Sequence, residues 1–392
     1  MKANRSLMWI VVLLYLAEGL PAGIFHDLVA VWLLEAHDIS LGSLGLVSLL
    51  AMPWTLKAIW SPLVDRWSTP ARWISGALVA MGLVTIALPW LPIGTPVWAL
   101  LALLTTASAT ADVAIDGYTA TIVPPDLHGR VNGWRVAAYR GAMLVAGGGA
   151  VAAATWVPWP VVFGVVGAAT LLLALWAARL APVEKPEQTN SEWASDLWAW
   201  LSQPGSWALF LFVLLFKMGD AAMAPMVKPF WLQEAGLGLA ELGLISITVG
   251  AGLTVAGALL GGELATRWGL FRSLWVLGAL QAVSNLGYMA AAAAPHRWTV
   301  YGASMVESFC SGLGVAAFLA FLMRICDAKQ AATRFALLSA VSMLARNLAG
   351  APSGFLVESW GYTAYFGFTF ALALPAFALL PAIKARLDAS TG

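Results

Sequence analysis

The sequence predicts an all-α membrane protein of twelve spans, arranged as two pseudo-symmetric six-helix halves. Three observations carry this reading. Of the 392 residues, 60% are hydrophobic and 10% charged, against roughly 25% charged in a soluble domain. Apolar runs of about 20 residues or more recur along the whole length, and each can cross a hydrocarbon core of about 30 Å as a helix. Short words also recur about 199 residues apart: WLLEA (Trp32 to Ala36) returns as WLQEA (Trp231 to Ala235), and LGLVS (Leu44 to Ser48) as LGLIS (Leu242 to Ser246).

Taken in order, α1 (7–35) follows Lys2 and Arg5 as a secretory signal would. The run is too long for one and has no clear small-residue cleavage site, so it reads as a retained helix. The segments α2 (41–63), α3 (72–93) and α4 (96–121) follow, each an apolar run of spanning length. Segment α5 (131–153) carries GAMLVAGGGA, whose glycines let a neighbouring helix approach closely. After α6 (160–181) comes the long polar stretch, 182–205, rich in Pro, Glu, Gln and Asn. Within it Trp193, Leu197, Trp200 and Leu201 form one stripe, which predicts a short interfacial helix. The second half repeats the plan with α7 (206–232), α8 (240–263, with the glycine-rich GAGLTVAGALLGG), α9 (270–292), α10 (298–325), α11 (331–357) and α12 (361–383). The runs are too long and the gaps too few for a membrane barrel.

The domain organisation is therefore an N-terminal six-helix bundle (1–181), a cytoplasmic linker (182–205) and a C-terminal six-helix bundle (206–392). This is the parallel-repeat plan of the major facilitator superfamily, which the chain resembles. Lys2, Arg5, Arg66, Arg72, Arg130, Arg179 and Lys185 fall at one set of ends, as do Arg267, Arg272, Arg324, Lys329, Arg334, Lys384 and Arg386, while the opposite loops offer mainly Arg297. That asymmetry places both termini in the cytoplasm. The net charge of +1 is divided among loops and gives no nucleic-acid surface. Cys310 and Cys326 lie about 24 Å apart along one helix, too far for a bridge.

Charge inside the spans is the functional signal, because a charge at mid-bilayer costs about 2.5–3.5 kcal/mol even on the lenient scale. Glu18 in α1 and Lys217 in α7 occupy matching positions of the repeat and are expected to face each other near the midplane. Asp112 (α4) and Arg140 (α5) are symmetric about residue 126, so a hairpin brings them to one depth; Asp116 and Arg135 are nearly so. Glu307 (α10) and Arg346 (α11) flank their own turn in the same way. We expect proton coupling at a carboxylate among Glu18, Asp112, Asp116 and Asp220, and substrate contacts from Arg140, Lys217, Arg346 and Glu307, with Tyr118 and Tyr139 to stack on sugar rings. Asp65, Arg66 and Arg135 are expected to gate the cytoplasmic end.

KMGDA, GALLGG, RWGLFRSLWVLGALQAVSNLGY, AAFLAFLMRICD, ATRFALLSA, DVAIDGY and YRGAMLVAGG together resemble the AmpG-type muropeptide permeases, over nearly the whole chain. The resemblance implies a proton-driven importer of cell-wall turnover products in a bacterial inner membrane. Its ligand would be large, polar and anionic, and it would need no cofactor beyond the proton gradient. Membrane lipid and this solute are the expected partners, and the chain is expected to work as a monomer. Two features depart from that pattern: longer members carry extra hydrophobic segments, and LYLAEGLPAGIF (Leu14 to Phe25) is closer to the RhtX/FptX-type siderophore permeases. A more distant similarity is to acetyl-coenzyme A transporters. The competing class is a membrane enzyme, since Asp112 and Asp116 at i and i+4 could hold Mg²⁺ beside a phosphate leaving group. The chain lacks the further Asp-rich motif such enzymes need, and it has no Ser/His constellation and no Walker loop. The reading is a transporter, not an enzyme.

Overall fold

The structure is a computed structural model that describes residues 2–37, 39–124, 128–181, 202, 206–325 and 331–389. The expected interfacial helix in the linker lies outside these residues. All regular structure among the described residues is helical. Among the described residues ten helices are long and apolar enough to cross a membrane.

Each segment has its own irregularities. Helix α1 runs Lys2–Gly23, loosens into a π-helical stretch at Ile24–Val29 and continues through Ala30–His37. Helix α2, expected as one continuous span, is instead assembled from Leu41–Val47, Met52–Leu56 and Ser61–Trp67, joined by 3₁₀ turns at Ser48–Ala51 and Lys57–Ile59. Pro53 and Pro62 start the second and third pieces, the position where a missing N–H costs least. Helices α3 (Pro70–Ala87), α4 (Thr95–Ile122) and α6 (Trp159–Ala177) are unbroken, while α5 combines His128–Leu144 with a π-helical stretch at Val145–Gly149. Helix α7 is interrupted at Lys217, whose φ −103° and ψ 2° separate Ser206–Phe216 from Met218–Pro229. Helix α8 is π-helical at Leu242–Val249 and regular over Gly250–Trp268. Helices α9 (Leu270–Ala293) and α10 (Arg297–Ile325) are continuous. Helix α11 covers Ala331–Gly350 and 353–360, and Gly361 (φ 75°) turns the chain into α12 at 362–389.

The helices form two compact units. The first gathers 1–38, 50–188 and 238–248; the second gathers 39–49, 189–237 and 249–392. The opening turn of α2 thus packs within the second unit, where the Gly42 N–H donates to Glu358 Oε1 at 2.9 Å. The repeat is visible in the packing of each unit: Trp32 and Trp231, its matched tryptophans, are both fully buried. Trp32 meets Phe163 edge-on at 5.3 Å, and Trp231 stacks on Tyr301 at 5.5 Å.

The core of the second unit is aromatic. Phe212, Phe216, Phe318, Phe321 and Phe377 interlock, with Phe216 and Phe318 stacked at 5.4 Å. Lipid tails are as apolar as these rings, so the gain is close packing, about 0.1–0.2 kcal/mol per atom pair over many pairs, more than water exclusion. Close approach elsewhere depends on glycine. A Cβ on Gly257 (α8) would strike the Phe309 carbonyl of α10, and one on Gly312 would strike the Thr254 carbonyl in return.

Candidate functional site

In the first unit, four helices (α1, α2, α4 and α5) bring side chains into one charged cluster. Tyr15 and Glu18 lie one turn apart on α1, and Asp112 and Asp116 one turn apart on α4, so each pair shares a helix face. Helix α5 comes close because Gly19 offers no side chain: a Cβ there would collide with the Tyr139 carbonyl. Within the cluster, Lys57 Nζ is 3.3 Å from Asp112 Oδ2. Arg135 Nη2 is 2.8 Å from Asp116 Oδ1, and the Tyr15 hydroxyl donates to the same oxygen at 2.7 Å. The Arg135 guanidinium also lies over the Tyr15 ring, 4.3 Å from its centre, a cation–π contact.

Glu18 stands among these groups, within electrostatic reach of Asp112, Asp116, Lys57 and Arg135. Among the described residues its buried Oε2 has no hydrogen-bond partner, and the same holds for Asp112 Oδ1. Three carboxylates therefore share two cations, and the two aspartates hold those cations directly. Leaving a buried carboxylate unpaired is costly unless it takes up a proton or meets water.

The expected pairing of Asp112 with Arg140 is corrected: Asp112 pairs with Lys57, and the Arg140 side chain is exposed with no hydrogen bond or ion pair among the described residues. Symmetry about a turn fixes depth only. Arg135 and Arg140 are five residues apart, about 140° around the helix, so both cannot face α4. Tyr15 is the member that sequence reasoning missed, and Lys57 is a charge inside a span for which the sequence names no partner. The signal was present in Tyr15, a polar ring one turn before Glu18, and in Lys57, a cation inside an apolar run.

In the second unit, Lys217 Nζ is 3.0 Å from Asp220 Oδ2, with side-chain exposures of 18% and 17%. The helix break sets this geometry, because Lys217 caps the segment whose first turn contains Asp220. Glu307 of α10 is partly buried within electrostatic reach of both. Arg346 is exposed on α11. Tyr118 is only 2% exposed, enclosed by its neighbours, and Tyr139 is partly buried. The side chains of Asp65 and Arg66 lie outside the described residues. Among the described residues no group of three or more His, Cys, Asp or Glu side chains is arranged to hold a metal. Asp112 and Asp116, the pair that could suit Mg²⁺, are each already engaged by a cation.

Comparisons with known proteins agree with this architecture. The model of the Major Facilitator Superfamily matches residues 7–296. The anhydromuropeptide permease of Escherichia coli K12 is 31% identical, over 97% of this chain and 80% of that protein. Putative transporter AmpG 4 of Rickettsia conorii is 27% identical, over 96% of each chain. Among solved structures, a bacterial homologue of the human lysosomal transporter Spinster, inward-facing and unoccupied, superposes with a TM-score of 0.78 at 15% identity, covering 99% of this chain and 97% of its own. The last likeness concerns fold alone. Ten apolar helices of spanning length among the described residues, a repeat of about 199 residues and this breadth of identity lead to one assignment: the chain is a multi-pass membrane transporter, not an enzyme, and belongs to the AmpG-type permeases of the major facilitator superfamily.

Proposed function

We propose that this transporter imports anhydromuropeptides, N-acetylglucosamine–anhydro-N-acetylmuramyl peptides, across the bacterial inner membrane by alternating access coupled to proton entry. Both termini face the cytoplasm, the working unit is a monomer, and the proton gradient is the only driving agent. The observation that carries the coupling is Glu18: a carboxylate with a buried, unpartnered oxygen, beside two aspartates that already hold Lys57 and Arg135. One proton on Glu18 balances the cluster, and its release leaves one net negative charge to be met by water or by a rearranged cation. The substrate identity is supported by the E. coli relative's name and by exposed guanidinium groups, Arg140 and Arg346, suited to peptide carboxylates.

The test is uptake of labelled anhydromuropeptide in cells lacking their own importer, with a ferric siderophore as the competing solute. Uptake of the muropeptide that collapses with a protonophore supports the reading; uptake of the siderophore alone replaces it. In proteoliposomes, Glu18→Gln is expected to abolish accumulation driven by a pH gradient while keeping substrate counterflow. Retained gradient-driven accumulation in that variant removes Glu18 from the proton step.

A further inference from the structure

Trp54 of α2 lies one turn before Lys57 of the charged cluster. Its Nε1–H donates to Ser108 Oγ of α4 at 3.1 Å. His26 stacks against it at 5.6 Å with 29° between the planes, and Phe25 meets it edge-on at 5.4 Å. The indole is thus held at its nitrogen and on one face, yet it is only partly buried. One step further along both helices, Lys57 pairs with Asp112. Trp54–Ser108 and Lys57–Asp112 form successive rungs between α2 and α4, three residues apart on α2 and four on α4, about 4.5–6 Å of helical rise. That is about the width of a hexopyranose. Asp112 is 7% exposed, and its buried Oδ1 accepts no hydrogen bond among the described residues. Lys57, at 34% side-chain exposure, keeps donors available.

We propose that these two rungs form a subsite for one pyranose ring. The free face of the Trp54 indole packs on the ring's C–H face, Asp112 Oδ1 accepts from a sugar hydroxyl, and Lys57 Nζ donates to another oxygen of the sugar. Aromatic platforms of this kind combine a large apolar area with a fixed orientation, and a site whose buried acceptor is satisfied only by the ligand rejects analogues lacking the hydroxyl. This rests on the proposed muropeptide substrate but assigns the carbohydrate part of it to named residues. Tyr118, enclosed at 2% exposure, does not offer such a face in this structure.

The experiment uses the purified full chain and two probes: the peptide-free N-acetylglucosaminyl-anhydro-N-acetylmuramic acid disaccharide, and the free stem peptide. Trp54→Leu is expected to weaken disaccharide binding on the order of tenfold and to leave peptide binding unchanged; Trp54→Phe and Ser108→Ala are expected to weaken it a few-fold, since each keeps part of the platform. Disaccharide affinity equal to the wild type in Trp54→Leu overturns the subsite, even if muropeptide uptake is intact. If Trp54→Leu does not fold, wild-type affinity in both milder variants overturns it equally. Failure of the wild type to import muropeptide tells against the substrate alone, because disaccharide binding lost with Trp54 still identifies a pyranose site.

Discussion

Removing Lys217 tests whether the second unit's charges act as a set. At 3.0 Å and an effective dielectric of about 20, the gross attraction to Asp220 is about 5.5 kcal/mol. Burial of both groups offsets most of this, so the pair's net contribution is near zero, while breaking a buried pair costs about 3–5 kcal/mol. Residual exposures of 18% and 17% let water recover part of that cost. Lys217→Met is therefore expected to destabilise by about 2–3 kcal/mol, since Asp220 and Glu307 are then left facing each other without their cation. Asp220→Asn is expected to cost less, about 1–2 kcal/mol, because Glu307 stays within reach of the freed ammonium. The double variant Lys217→Met/Asp220→Asn removes both charges and is expected to lie within about 1 kcal/mol of the wild type. The assay is reversible unfolding of the four proteins in mixed micelles, read as a double-mutant cycle. Additive losses, with the double variant the least stable of the four, would refute this reasoning and reduce the pair to two independent contacts.

Tyr15→Phe removes the 2.7 Å hydrogen bond to Asp116 but keeps the ring beneath Arg135; it is expected to cost about 1 kcal/mol and to slow uptake, measured as initial rates against the wild type. Gly257→Val places a side chain against the Phe309 carbonyl and is expected to lower stability by at least about 1–3 kcal/mol. Gly252→Ala, five residues earlier on α8 where a Cβ meets nothing within 4 Å, is expected to gain about 0.5–1 kcal/mol. Thermal unfolding in detergent checks this pair, and an equal response at the two glycines contradicts the packing at Gly257.

Level along neighbouring helices was legible from the sequence at the Asp116–Arg135 pair, and direction around the helix was not. The matched positions of Glu18 and Lys217 in the repeat, and the Asp116–Arg135 pair, follow from counting along the chain. The partner of Asp112 does not, because counting cannot say which of Arg135 and Arg140 turns toward α4, nor that Lys57 arrives from α2. The breaks in α2 had a signal in Pro53 and Pro62, but apolar composition alone reads straight through them. Burial of Tyr118 depends on neighbours from other helices, which no local pattern reports.

The interruption at Lys217 divides α7 into parts with opposite characters. On one side, Phe212 and Phe216 are clamped in an aromatic lock with α10 and α12; on the other, the charged residues begin. The backbone there has already left the helical well, so a change of torsion at this one residue can swivel the polar segment with the anchor standing still. A joint so placed would let an ammonium–carboxylate pair change direction without loosening the hydrocarbon scaffold that holds it.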